Sequence, residues 1–502
     1  MTINPTIKPI ILTDEAGNQH QIAMTVSSWF HHHYSWWVLI CVCLGSVAVG
    51  LPYFSYGALL PYLSSLFYHN TGQITSSAAM TLQPVMLELG ITLTGSLSGA
   101  LAYYVNIRFL NFVLVLLYVT SVASSYFIDS YILLTVNMVF VGTLSGQINV
   151  CNVARLSEWH PTKSGTANGI MGFFMGISGV LGSYLCTAII NPSNKQLVEV
   201  NMGNNTETLF LDETVVQHIQ PIWLAWAGLI AGLCLPGLFI LRVPNEEEMA
   251  ELLKTALGSI EAEGERVALI SPKNMSPCFE ASETDTEISM HAAVDTDVRP
   301  ADQNEEKDSS RVEPDYNIVD TLKQPKFYVL SFVILTLSLT LLATTELYKI
   351  IALEAIDDDG FLNMVGASGS LSNAFGMMMW GMILDRIGTR YTFTCAFLFM
   401  GPLTISLHFT KWSRYGYLAN LCSTTFCTGI FTCIAPACQE LFGRRDLSLK
   451  YAASLVALGF GCLLFFLLQL GEKFLFGELA FLSMIGVPCM VASVLAFATL
   501  SG

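Results

Sequence analysis

The chain has 502 residues, 53% of them hydrophobic and only 12% charged, where an average soluble domain carries roughly 25% charge. A soluble protein of this length needs more charge to cover its surface, whereas a protein solvated by lipid does not. The formal net charge of −16 is unevenly placed. Residues 243–325 hold 20 of the 39 acidic residues and 7 of the 23 basic ones, so the rest is close to neutral and nothing points to nucleic acid.

Residues 1–34 form a mixed, polar N-terminal segment without a cleavable signal. The first apolar run is too long for a signal core and is expected to stay as a membrane anchor. A spanning helix needs about 20 mostly apolar residues, and twelve such runs are legible. The first six cover 35–60, 79–104, 109–127, 130–154, 165–190 and 220–242. The second six cover 327–349, 361–384, 391–409, 415–438, 450–470 and 475–499. The expected fold is an all-α membrane protein of twelve helices in two six-helix pseudo-repeats, residues 35–242 and 326–502.

Between the halves, residues 243–325 turn acidic and rich in Ser and Thr, as in Glu246-Glu247-Glu248 and Ser282-Glu283-Thr284-Asp285-Thr286-Glu287. This stretch has too little apolar surface to fold alone and reads as a mostly disordered cytoplasmic linker. Its start, Glu246–Leu257, has helical spacing. Serines and threonines beside acids invite phosphorylation, with a plain solvated linker as the alternative.

Orientation follows from Lys and Arg in the short connections. With the N-terminus inside, Arg108, Arg155, Lys163, Arg386, Arg390, Arg444, Arg445 and Lys450 fall inside. Lys195, Lys349, Lys411, Arg414 and Lys473 fall outside. Both termini are therefore expected in the cytoplasm; the membrane of residence is expected to be the plasma membrane. The sequon Asn204-Asn205-Thr206 then lies outside, where Asn204 can be glycosylated; the one at Asn274 lies inside. Tyr34, Trp36 and Trp37, and Trp412, Tyr415 and Tyr417, are expected as interfacial aromatic belts. His31-His32-His33 decorates the first belt. The 13 cysteines lie mostly in apolar runs without CxxC or Cys/His spacing, which suits small packing residues and no metal.

The segment Gly381-Met382-Ile383-Leu384-Asp385-Arg386-Ile387-Gly388-Thr389-Arg390 resembles the G-x-x-x-D-R-x-G-x-R signature of the major facilitator superfamily. Gly381 permits close helix approach. Asp385 can accept from a neighbouring helix N-terminus or an arginine. Gly388 permits a tight turn. Arg386 and Arg390 can meet acidic groups and lipid. The resemblance implies a conformational latch formed by Gly381, Asp385, Arg386, Gly388 and Arg390. The matching segment after the second run keeps Gly99 and Arg108 but has Tyr103 and Asn106 in place of the acid and glycine. Inverted or parallel repeats are common in transporters.

Three further stretches resemble the oxalate–formate antiporter and monocarboxylate transporter branch. They are Gly50–Pro61, Glu158–Gly169, and Glu346–Lys349 with Ile356–Leu362 and Asn373-Ala374-Phe375-Gly376. That branch holds small carboxylates with buried cations. Met377 stands where arginine is usual, Leu458 where oxalate carriers have lysine, and Asn373 where carriers place a proton-bearing aspartate. The first run lacks the lysine of monocarboxylate carriers.

Intramembrane charges are functional candidates. Glu88, between Leu87 and Leu89, is the candidate proton-coupling residue, with a helix-tying glutamate as the alternative. Glu346 and Lys349, three apart, are candidate outer gates that can pair. Substrate-binding candidates are Tyr53 and Tyr56 on the first run, Gln147, Asn149, Asn152 and Arg155 on the fourth, and Ser370 and Asn373 on the eighth. Interhelical packing is the alternative for each, and Arg155 and Glu440 lie near helix ends, where structural roles are usual. In the family, helices 1, 4, 7 and 10 line the cavity and parts of 2, 5, 8 and 11 close it.

The expected function is secondary-active or facilitative transport of a small organic solute by alternating access, monocarboxylate-like by resemblance, with a proton or counter-anion as candidate coupling partner. The rivals are a neutral solute such as an amino acid or sugar, or a transporter-like sensor or scaffold. No HExxH, GxSxG or Walker motif occurs, so neither an enzyme, an ATP-driven pump nor a cofactor is expected.

Overall fold

A computed structural model describes residues 10–13, 19–22, 34–72, 77–92, 105–160, 163–193, 195, 198–202, 205–242, 316–353, 355–356, 358–443, 446–471 and 477–500. The first-half helices are α1 (Tyr34–Thr71), α2 (residues 82–92), α3 (Ile107–Ser124), α4 (Tyr131–Trp159), α5 (Ser164–Ile190) and α6 (Pro221–Ile240). In the second half α7 is Pro325–Thr345. One continuous stretch, Asp359–Thr410, contains α8 (residues 359–387) and α9 (residues 389–410). Next come α10 (Arg414–Thr428), extended through Gly429–Cys433 and Ile434–Phe442, then α11 (Leu447–Gly471) and α12 (Gly477–Thr499).

Ten described stretches are long and apolar enough to cross a membrane. One of them holds both α8 and α9, and α2 is described over eleven residues, so twelve helices build the bundle. Pro221 and Pro325 sit in first turns, where a missing N–H costs nothing. Side-chain caps start α3, α8 and α10: Asn106, Asp358 and Ser413 accept from Arg108, Phe361 and Gly416 N–H groups. Asn106 thus serves as a helix cap where the latch signature has glycine; Gly99 and Tyr103 lie outside the described residues.

Burial sorts the helices. In α1, α7 and α10, 78%, 72% and 78% of the spanning window is buried, against 33% in α3, which puts the first three at the centre. On α3, Phe109, Phe112, Leu116 and Leu117 point outward, as lipid-facing residues should, because no water is there to expel them.

Several expectations change. α1 extends to Thr71, about 57 Å at roughly 1.5 Å per residue, well past the expected end at 60. Two hairpins are added: β1 (Ile10–Thr13) with β2 (Gln19–Ile22), and β3 (Val198–Met202) with β4 (Asn205–Leu209), both antiparallel. Strand β4 begins just after Asn204, which lies outside the described residues, as do Asn274, His31-His32-His33 and the whole of 243–315. The end of the expected linker is ordered into a helix, Ile318–Lys323, capped by Asn317 and tied to α10 by Tyr316 N–H donating to Phe442 O at 3.1 Å. Tyr34 and Tyr417 are buried among the helices. Arg242 stacks over the rings of Tyr34 and Trp159 at 4.5 and 5.3 Å, clamping the ends of α1, α4 and α6. Trp36, Trp412 and Tyr415 are exposed.

Before α6, Asp212 caps the short helix Glu213–Gln217. Its carboxylate accepts from the Thr214 hydroxyl at 2.6 Å and N–H at 3.0 Å, and pairs with Lys195 at 3.0 Å. These contacts, the Thr214 hydroxyl foremost, hold its pKa down at about 2. A carboxylate lowered this way stabilises the fold above its unfolded value near ~4 and loses that contribution as pH falls through the folded value. Hydrogen-exchange protection of the 214–218 amides, corrected for intrinsic rate, should fall in that acid window. Asp212→Asn should lower the same protection at neutral pH and remove the acid step.

Candidate functional site

The two halves meet along α5 and α8. Five glycines of α5 (Gly165, Gly169, Gly172, Gly176 and Gly179) recur every three or four residues and so share one face. A Cβ at Gly165 would lie 2.6 Å from Gly381 O, at Gly169 2.9 Å from Met377 O, and at Gly176 2.8 Å from Ala374 Cα. Gly381 is equally tight, 2.2 Å from Gly165 O. The backbones come this close because α5 has no side chain at these positions, and at Gly381 α8 has none either.

At the end of this seam Asp385 caps α5. One carboxylate oxygen accepts from Gly165 N–H at 2.9 Å, and the other from Thr166 N–H and its hydroxyl, both at 2.6 Å. An anion there meets orphan N–H groups and the positive end of the helix dipole. Gly388 adopts φ +77°, a conformation glycine takes without strain, and turns the chain from α8 into α9. Glu440 then caps the start of α9, accepting from Thr389 N–H at 3.0 Å and its hydroxyl at 2.6 Å. Arg390 stacks over Phe497 at 4.3 Å, and Arg386 is exposed. We call this end of the bundle the latch face.

Towards the opposite face the halves separate around a cavity of about 360 Å³. Its walls are Phe54, Gly57, Ala58, Pro61 and Tyr62 of α1; Ser183, Tyr184 and Thr187 of α5; and Thr344 and Thr345 of α7. Tyr348 and Lys349 follow, then Ser370 and Asn373 of α8 and Leu421 and Thr425 of α10. Asn373 forms its floor: its Nδ2 donates to Thr428 Oγ1 at 2.8 Å, while Oδ1 has no partner among the described residues.

The expected substrate residues therefore separate into two groups. Ser370 and Asn373 line the cavity, as does Lys349. Gln147, Asn149, Asn152 and Arg155 are buried in α4, outside it. Arg155 pairs with Glu158 at 2.7 Å. Helix α4 contributes no residue to this cavity's wall: Asn149 meets Tyr451 of α11, and Asn152 Nδ2 lies 3.1 Å from a Cβ at Gly45 of α1. Tyr53 and Tyr56 face a second space of about 10 Å³, together with Glu346. The shared helical face expected for Glu346 and Lys349 is also lost. Helix α7 ends at Thr345, and Lys349 belongs to a separate helix, Tyr348–Leu353. Glu346 Oε2 has no partner among the described residues. Met377 is buried, its Cβ 3.0 Å from a Cβ at Gly172, so the site of the usual arginine lies inside the helix seam below the cavity floor. Leu458 is fully buried.

A family model described as Major Facilitator Superfamily matches residues 42–453. The chain belongs to the major facilitator superfamily. It is a multi-pass membrane transporter of that superfamily. No curated protein sequence matches it. Among solved structures it resembles the superfamily's proton:xylose symporter XylE bound to 6-bromo-6-deoxy-D-glucose, with TM-score 0.66 and 9% identity over 94% of this chain and 97% of that one. It also resembles a partially occluded inward-open XylE from E. coli, with TM-score 0.60 and 10% identity over 93% and 98%. At these identities the likeness carries the superfamily fold and no substrate.

The α5 glycine row was not singled out from the sequence, although small residues at alternating spacings of four and three announce it. Nor was the partly buried cluster joining α9 to α12, where Glu478 accepts from Lys411 at 2.7 Å and contacts His408 at 2.8 Å. Its members are 67 and 70 positions apart, so no local spacing reveals them.

Losing a carboxylate cap costs about 0.5–2 kcal/mol, and ~1.4 kcal/mol is tenfold in an equilibrium. Cys433 is fully buried on α10 near Asp385. Asp385→Ala should raise the rate of maleimide labelling at Cys433, located by mass spectrometry, by about tenfold. Unchanged labelling would show that the cap does not hold the latch face shut.

Proposed function

We propose that the chain carries a small organic solute by alternating access, with the 360 Å³ cavity as the solute site and the latch face in the cytoplasm of a plasma-membrane protein. The observation that carries this reading is the asymmetry of the seam. Between the same two half-bundles, α5 and α8 touch at the latch face and part around a cavity at the other. A carrier needs such a contact to be breakable, and here it rests on backbone proximity and one capped helix end.

Within the cavity, Lys349 supplies a cation and Ser370, Asn373, Thr345 and Thr425 supply polar atoms, against the rings of Tyr62, Tyr184 and Tyr348. This lining supports a small monocarboxylate whose apolar body lies on the aromatic wall. The run of hydroxyls supports a second reading, a neutral polyhydroxy solute or amino acid, and the two differ in their need for Lys349.

Uptake into proteoliposomes separates them. A carboxylate held by Lys349 loses about 1.5–3 kcal/mol with that contact, so Lys349→Gln should raise KM for the transported carboxylate at least ~10-fold. Ser370→Ala and Asn373→Ala should raise it less. Transport of a neutral solute with KM unchanged in Lys349→Gln would replace the carboxylate by the second reading. No solute moved by well-folded protein would remove the carrier reading.

A further inference from the structure

The solute cavity reaches the lipid between α5 and α8. On α5 the exposed residues Phe174, Leu181 and Tyr184 recur on one stripe of the helix. On α8 Met364, Leu371, Phe375 and Met379 form a matching exposed stripe. Exposed apolar stripes on spanning helices face lipid, where no water expels them. Tyr184, 68% exposed, and Met364, 47% exposed, belong to these stripes and also line the cavity. Tyr184 precedes the end of α5 at Ile190 by about 9 Å of helix, at ~1.5 Å per residue. The gap between the two helices therefore opens inside the leaflet on the cavity side.

The other approaches are built over. Phe210, just past β4, is buried, stacks on Tyr62 at 4.8 Å and donates its N–H to Ser65 Oγ at 2.9 Å. From the other half, the ring of Tyr348 fills the space beside Gly366 of α8, and its carbonyl accepts from the Tyr417 hydroxyl of α10. Tyr62, Phe210 and Tyr348 are all cavity wall. Helices α2 and α11 give the cavity no residue among those described. They meet each other instead: Thr81 Oγ1 donates to Gln469 Oε1 at 2.9 Å, and a Cβ at Gly459 would collide with Thr92 Oγ1. Glu88 of α2 is 2% exposed and lines neither space. The two halves are thus joined on the α2–α11 flank towards the face where α5 and α8 part.

The wall is less polar than its hydroxyls suggest. Ser183, Thr187, Thr344, Thr345 and Thr425 each donate to a carbonyl of their own helix, at 2.7 to 3.1 Å. Those donors are spent, so the wall has few left for a polyhydroxy solute, while its methyl groups and rings remain. Lys349 supplies one cation. A solute with one anionic head and an apolar body matches this lining. The lateral gap lets that body run on into lipid without burying any polar group.

We propose that the cavity loads from the bilayer through the α5–α8 gap, and that its solute is a single-chain amphiphilic monocarboxylate. Its head meets Lys349 and its chain leaves past Tyr184 and Met364. This rests on the carrier reading, which supplies the solute site, and narrows its substrate class. The bilayer concentrates such a solute and presents it at the depth of the gap.

The test uses wild-type protein in liposomes containing a phosphatidylcholine with a diazirine in its acyl chain. After irradiation, adducts are located by mass spectrometry. Helix α1 has no exposed residue between Cys41 and Phe67, so an acyl chain meets the cavity-lining Ala58 and Pro61 only by way of the cavity. Adducts on these two residues are expected. Decanoate should suppress them at a free concentration about a thousandfold below that needed by butyrate, its further methylenes counting roughly threefold to fourfold each. No adduct at Ala58 or Pro61 while Leu371 and Phe375 are labelled overturns the proposal. So does labelling that decanoate leaves unchanged, which means that the gap holds bilayer lipid, or labelling that butyrate suppresses equally well. In each of these cases the carrier reading still stands or falls by the uptake assay, since a small solute can cross without using the gap.

Discussion

The contact between α5 and α8 is the constraint on which the rest of this structure depends. Gly165, Gly169 and Gly176 on one face of α5 let its backbone lie against α8, and Asp385 caps the end of this contact. Lipid gives helices no hydrophobic reason to associate, so close packing and hydrogen bonds must hold them. A seam made of backbone proximity is strong while the fit is kept, and falls away quickly once the helices part. That suits an interface that opens and closes as a unit.

The position of the cavity follows from the same seam. Beyond Gly179 the α5 face carries Ser183, Tyr184 and Thr187, too bulky for contact, so the helices diverge and enclose space. Asn373 marks the level where contact gives way to cavity. Gly388 and the Glu440 cap at the start of α9 fix the short latch-face turn. The proposed cycle moves the point of contact from one end of this seam to the other.

Legibility in the sequence divided along physical lines. The helices could be read because runs of about 20 apolar residues are what a membrane span requires and soluble helices rarely contain. The Asp385 cap and the Gly388 turn could be read because these residues sit close together in the chain. The cavity lining was harder. Ser370 and Asn373 face it, but Asn149, Asn152 and Arg155, polar and equally regular along their helix, do not. Periodicity tells which residues share a face, not which neighbour that face meets. Met377 shows the same limit: its replacement of an expected arginine was visible, but its burial inside the helix seam was not. Glu346 and Lys349 failed as a helical pair because the helix ends between them, and no spacing rule contains that ending. The β3–β4 hairpin was passed over, although Val198, Val200 and Met202 alternate with polar residues as a strand requires.

The central claim is that one seam closes at one face while it opens at the other. Spin labels at Lys163 and Ile387 report the latch-face ends of α5 and α8, and labels at Tyr184 and Met364 report the cavity face. Pulsed dipolar distance distributions from both pairs in lipid, with and without Asp385→Ala, test the claim most directly. The account predicts opposite responses: the variant should populate a longer latch-face distance and a shorter cavity-face one. Distances that lengthen together, or a latch-face distance unmoved by loss of the cap, would contradict it.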